Sequence, residues 1–192
     1  MPLKDATNNE RHVRPPHPQP LSRLGRGELR ESLRDSQVTM SVSVQAQDFD
    51  PGREIALLSE GRTDVGAVAS LIGLVRDMND GSGITDMTLE HYPGMTEKAL
   101  EEILAQARTR WPILGARVIH RYGRLLPGER IVLVAVAASH RGEAFQASEF
   151  IMDYLKTQAP FWKKESTPEG GRWVDARESD EAAQARWGHE AL

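Results

Sequence analysis

Hydrophobic and polar positions first fall into order at Met40, where "MSVSVQAQDFDPG" alternates apolar and polar side chains with the period of two of a half-buried strand. A short helix follows it. From Val65 to Val75 the chain is almost continuously apolar, broken by Gly66 and Gly73, and reads as a long strand. The polar, glycine-rich "RDMNDGSG" (76–83) then reads as a loop, and the alternating "ITDMTLEHY" (84–92) as the partner strand of a hairpin with a long tip. Next the period changes to 3.6. Ala99, Leu100, Ile103, Leu104, Ala107 and Trp111 fall on one helical face, with Thr96 placed to cap the helix and Pro112 to close it.

"ARVIHRYGRL" (116–125) and "RIVLVAVAAS" (130–139) flank the turn sequence "LPGE", which predicts a second antiparallel pair. A second helix spans about Gly142 to Gln158, with Ala144, Ala147, Ile151, Tyr154 and Leu155 turned inward. Pro160 prevents its continuation, so Lys156 sits in its last turn. "GGRWVDAR" (170–177) reads as a short final strand and "SDEAAQARW" (179–187) as a terminal helix capped by Ser179. Hairpins mixed with helices, without βαβ alternation, predict an α+β domain.

Residues 1–39 carry no such order. "RPPHPQPLSRLGRGELRESLRD" is rich in Pro, Arg and Ser, and a segment that cannot bury enough apolar surface to offset chain entropy is expected to be disordered. The folded domain is therefore expected over residues 40–192, with Met40 as the natural start.

The whole chain has 192 residues, 39% hydrophobic and 27% charged, enough for one ordinary core. It has no cysteine, which excludes disulfides, zinc–thiolate sites and cysteine nucleophiles. The longest apolar runs, "VGAVASLIGLV" and "IVLVAVAA", fall short of the roughly 18 residues of a membrane span. Charges from Lys4 through Arg34 leave no room for a signal-peptide core, so a cytoplasmic protein is expected. The net charge is −4. Seven basic against five acidic residues in the first 39 give that segment +2 and the remainder −6, a poor sign for nucleic-acid binding. An anion has to be held by a local cationic cluster.

"YLKTQAPFWKKE" (154–165) offers one. Lys156 and Lys163 stand at either side of a proline-bearing apolar spacer and can converge on one pocket, where desolvation and mutual repulsion would favour the neutral, nucleophilic amine. The alternative is a solvated helix end whose lysine complements the dipole. "ASHRGE" places His140 and Arg141 where an apolar strand stops and a helix begins, a position suited to a phosphate or to ordinary surface charge. Arg76, at the end of a long strand, can point at the same site. His120 and Arg121 lie inside a strand and read as structural. His91 has no second ligand at a metal-like spacing and reads as a hydrogen-bonded strand histidine, so no metal and no cofactor are assigned. No Walker loop, dinucleotide fingerprint, nucleophile elbow or His-Glu-x-x-His helix is present.

Five motifs in order, "LEHYPGMTEKAL", "IHRYGRLLPGE", "SHRGEAF", "FIMDYLKTQAPFWKKE" and "RWVDAR", closely resemble the catalytic (large) subunit of molybdopterin synthase, over roughly Val65 to Trp187. The resemblance implies an α/β hammerhead-type fold with antiparallel sheet and packed helices. It also implies a homodimer carrying a small ubiquitin-like sulfur-carrier subunit at each end, and no membrane or nucleic-acid partner. The carrier's C-terminal Gly-Gly thiocarboxylate would enter the pocket, and two sulfur transfers to cyclic pyranopterin monophosphate would form the molybdopterin dithiolene. Lys156 corresponds to the family's catalytic lysine, which can form an isopeptide link with the carrier tail. Lys163 corresponds to the second catalytic lysine, with Lys164 and Glu165 beside it in the substrate pocket. His140, Arg141 and Arg76 match residues expected to hold the pterin phosphate, with Val75 beside them. Leu74 is a departure, since many relatives carry lysine there; a weaker grip on substrate follows. The competing readings are a non-catalytic module that docks the carrier tail or an anionic metabolite, and a phosphate-binding hydrolase.

Overall fold

The computed structural model describes residues 39–79, 82–168, 170–174 and 178–188. The expected disordered extension lies outside these residues apart from Thr39, as do Asp175 to Arg177 of the "RWVDAR" motif. Among the described residues no helix is long and apolar enough to cross a membrane.

The first sheet contains β1 (Thr39–Gln45), β2 (Ala67–Leu74), β6 (Ile113–Arg121) and β8 (Arg130–Ala138), in the order β1-β6-β8-β2. β8 pairs antiparallel with both neighbours, and β1 joins β6 in parallel. Between β1 and β2 lies α1 (Pro51–Leu57), started by Pro51 and by the Asp50 carboxylate, which accepts hydrogen bonds from the Gly52 and Arg53 amides. The run "RIVLVAVAA" is apolar at every second position on both faces because both faces are covered. Val132, Val134 and Val136 pack on the helices α2 (Met95–Arg110) and α3 (Arg141–Gln158), through Leu100, Ile103, Phe150 and Ile151. Leu133, Ala135 and Ala137 pack on Phe49 and Leu58. A continuous apolar strand is the signature of such two-sided burial.

The second sheet contains β5 (Asp86–His91), β7 (Gly123–Leu125), β9 (Phe161–Thr167) and β10 (Gly170–Val174), in the order β10-β9-β5-β7, with all pairs antiparallel. Two-residue strands β3 (Met78–Asn79) and β4 (Ser82–Gly83) form a small hairpin inside the polar loop. The C-terminus adds α4 (Glu178–Ala185) and a single 3-10 turn, Arg186–Gly188. Trp187 of that turn is buried against Trp111 and Phe150, and its indole N–H donates to Asp153 at 2.8 Å.

The α+β class, both long helices, the β6–β8 pair and the β10 strand agree with expectation. Three local expectations are corrected. The strand at 84–92 does not pair with β2: it belongs to the second sheet, and β2 pairs with β8 because that places its apolar face over a covered core. Thr96 does not cap α2. Gly94 occupies the cap with φ 80°, the Glu97 carboxylate accepts from the Gly94 amide at 2.7 Å, and buried Thr96 donates to the Pro160 carbonyl. Ser179 is the second residue of α4 rather than its cap.

Candidate active site

A cavity of about 470 Å³ opens where the ends of several elements meet. β2 is steered into it by an irregularity. Its register with β8 shifts between Gly73 and Leu74, and a Cβ on Gly73 would stand 2.6 Å from the Val132 side chain. Bulges of this kind re-aim the residues that follow them. Leu74, half exposed, and Arg76 reach the cavity wall as a result, while Val75 turns away into a buried cluster with Met87, Leu89 and Leu125.

α3 delivers Lys156 from its last turn, and Pro160 lets the chain reverse directly into β9. Alternation along β9 then decides what faces inward. Phe161, Lys163 and Glu165 line the cavity, whereas Trp162 and Lys164 lie on the other face, the Lys164 ammonium 5.7 Å above the Trp173 ring. Lys156 and Lys163 thus open onto one cavity, together with Arg76. Their surroundings differ. Lys163 is ion-paired to Glu165 at 2.6 Å, while among the described residues the Lys156 ammonium has no ion pair or hydrogen bond.

Glu165 is the organising group. Its carboxylate is 1% exposed and is held by three side chains. Besides Lys163, the Asn79 amide donates to its two oxygens at 2.9 and 3.0 Å, and Arg172 donates at 3.2 Å. Asn79 in turn accepts from Arg76 at 2.9 Å, so one buried acid ties Arg76, Lys163 and Arg172 together. Burial alone would raise the Glu165 pKa, but the hydrogen bonds from Lys163 and Asn79, the Lys163 charge and Arg172 outweigh it and hold the carboxyl below its usual range. The ionised carboxylate fixes its cationic partners in place.

His140 and Arg141 are not brought to this cavity within one chain. They start α3 and Lys156 ends it, a separation of about 22 Å along a helix of that length. Both are exposed beside Gly66, where a Cβ would stand 2.1 Å from the Ser139 carbonyl oxygen, so only glycine permits that approach. His120 and Arg121 are buried in β6, and the Arg121 guanidinium donates to the Ala46 and Arg130 carbonyls, as a structural pair should. His91 is corrected in one respect: its buried Nδ1 has no hydrogen-bond partner, and its ring lies 4.4 Å from that of Tyr122. Among the described residues no three His, Asp or Glu side chains gather as a metal cage.

Sequence reasoning missed several wall residues. Asn79 was hidden in a loop with no regular pattern. Met87, Ile131, Phe161 and Val174 supply an apolar wall, and Ser179 and Asp180 of α4 a polar rim. The β9 alternation was the one available signal, since it separates Phe161, Lys163 and Glu165 from Trp162 and Lys164. Cations and apolar side chains lining one cavity suit a ligand that carries both an anionic group and apolar surface.

The fold and the cavity together define an α+β protein in which one helix end and the following strand bring a lysine pair to a single cavity. Residues 44–158 match the family described as MoaE protein, and the chain belongs to that family. It is 65% identical over 148 residues to the molybdopterin synthase catalytic subunit of Ralstonia nicotianae, covering 77% of this chain and 84% of that one. Among solved structures, a molybdopterin biosynthesis MoaE protein from Burkholderia ambifaria superposes with a TM-score of 0.67 at 56% identity, covering 80% and 99% of the two chains. Molybdopterin synthase from Staphylococcus aureus superposes at 0.65 with 28% identity, covering 69% and 96%.

Proposed function

We propose that this chain is the catalytic subunit of a molybdopterin synthase, a sulfurtransferase of molybdenum cofactor biosynthesis. It takes sulfur from the thiocarboxylated C-terminus of a small carrier subunit and passes it, in two transfers, to cyclic pyranopterin monophosphate. Each transfer leaves the carrier tail as a carboxylate. The observation that carries this reading is the opening of Lys156, Lys163 and Arg76 onto one cavity in a chain of net charge −4. Both ligands are anions, and a cationic cavity in an acidic protein selects for them.

Lys156, unpaired at the helix end, is the group that meets the acyl sulfur and moves a proton or orients the tail there. Lys163 and Arg76, held through Glu165 and Asn79, are the fixed charges that bind the anionic ends of tail and substrate. Leu74 replaces a cation at the cavity wall and weakens the grip on the phosphate. Arg172, already engaged by Glu165, restores part of that charge from behind. His140 and Arg141 also serve the pterin phosphate. The working assembly is a cytoplasmic homodimer with one carrier at each end, and residues 1–39 form an extension outside the catalytic domain.

The test is to combine the purified protein with thiocarboxylated carrier and cyclic pyranopterin monophosphate and assay the dithiolene as its oxidised fluorescent derivative. Product is expected in proportion to carrier supplied. Carrier binding without product would instead describe a docking module.

A further inference from the structure

One buried titratable group beside the cavity has no part in the chemistry above. His120 sits in β6 directly after Val118 and Ile119, at a position 5% exposed. An aliphatic side chain would fill that space without burying a polar ring, so the imidazole requires a reason. Its ring stacks on Phe161, with centroids 3.7 Å apart and planes 20° from parallel. Its Nδ1 lies 2.9 Å from the Arg121 carbonyl oxygen, which can only accept, so Nδ1 carries the proton and the ring is held in one tautomer and one orientation. Phe161 is itself a wall of the cavity that Lys156 enters, five residues further along the chain than that lysine.

We infer that His120 is a positioning residue for sulfur transfer: stacked behind Phe161, it fixes the wall beside which Lys156 acts. The inference rests on the reading that Lys156 performs the chemistry. The ring is suited to the task because it stays neutral. Burial first, with the neighbouring Lys156 and His91 charges adding to it, pushes its pKa down to about 4 against the help of the Arg121 carbonyl. A flat, uncharged ring locked by a backbone carbonyl supports Phe161 without placing a second cation against the lysine. Loss of the stack frees Phe161 to change rotamer and lets the start of β9 drift, and small misplacements at a reacting pair cost large factors in rate.

Two variants separate the roles of the ring. His120→Phe keeps a stack on Phe161, and His120→Leu removes it while keeping an apolar side chain. In the synthase assay His120→Leu is expected to lower kcat about tenfold with KM within about twofold, and His120→Phe to stay within about threefold of wild type. A second readout needs neither carrier nor substrate. Acetylation of Lys156 by limiting acetic anhydride is followed by mass spectrometry and normalised to Lys98, an exposed lysine on α2. The ratio is expected to change at least threefold in His120→Leu and to stay within twofold in His120→Phe. If His120→Leu does not fold, Phe161→Leu removes the same stack from the other side and is expected to shift the ratio likewise. A wild-type ratio in the stack-deleting variant overturns the inference, as does an equal change in His120→Phe. If wild type makes no dithiolene, the functional reading fails, and the acetylation ratio still decides whether the stack positions Lys156.

Discussion

The two four-stranded sheets of this protein are built on opposite principles. In the first, β8 buries three valines on one face and a leucine and two alanines on the other, each set packed on apolar side chains. In the second, β9 places a fully buried glutamate between a lysine, an asparagine and an arginine, next to an open cavity. The first sheet is held by burial, which is non-directional and additive over area. The second is held by directed, charge-assisted bonds that fix where cations point. The contrast teaches that the apolar core and the buried charge network belong to different sheets, joined by α3, which packs on the first and delivers Lys156 to the cavity beside the second.

The strongest way to break that division is at Phe150, which is fully buried on α3 and touches Trp111, Tyr154 and Trp187. Phe150→Ala is expected to lower the unfolding free energy by about 4 kcal/mol, read by denaturant titration. A loss below about 1 kcal/mol would show that the first sheet is not the stability core.

Somewhat smaller is the acid dependence of His120, which belongs to the first sheet but touches the cavity wall. With a folded pKa of about 4 against an ordinary 6.5, the unfolded chain takes up the proton first as pH falls. Its contribution is complete above pH 6.5 and lost between there and pH 4, on the order of 3 kcal/mol. His120→Phe should flatten that part of the stability-against-pH curve. An unchanged curve would mean the imidazole is not held neutral. Glu165 acts lower on the scale: its depressed pKa gives stability above the ordinary 4.5 that is lost as the pH falls further.

Glu165→Gln sharpens the comparison from the other sheet. It removes the counter-charge of Lys163 and Arg172, and the expected cost is about 2 kcal/mol of stability. Activity should fall by more than tenfold, because Arg76 and Lys163 lose their common anchor. Activity lost only in proportion to unfolding would assign Glu165 to the scaffold instead. Smallest is Lys164→Ala, on the outward face of β9 above Trp173. It should change stability by less than about 0.5 kcal/mol and turnover by less than about twofold. A tenfold loss of turnover would place Lys164 in the cavity.

Much of this architecture was legible in the sequence, for identifiable reasons. The helix periods at 99–111 and 144–155 and the two-sided apolar run of β8 are local patterns, and local patterns survive folding. Pairing is not local. The strand at 84–92 looks like the hairpin partner of β2, but its register is set by β9, some 75 residues away. Lys156 and Lys163 stood out by type and spacing, and Pro160 indicated that the chain reverses between them. Glu165 sits in "KKE", where nothing marks one of three charges as buried, and its partner Asn79 comes from a glycine-rich loop that reads as solvent-exposed. Charge networks of this kind are specified by tertiary contacts, so their members become visible only once the strands are placed.

The central claim is that Lys156 performs chemistry while the rest of the cavity binds. Its most direct test is a single-turnover reaction with thiocarboxylated carrier and cyclic pyranopterin monophosphate, run on Lys156→Ala beside wild type, with carrier affinity measured in parallel. The account predicts no dithiolene from Lys156→Ala while carrier binding stays within a few-fold of wild type. Dithiolene formed at the wild-type rate by that variant would contradict it.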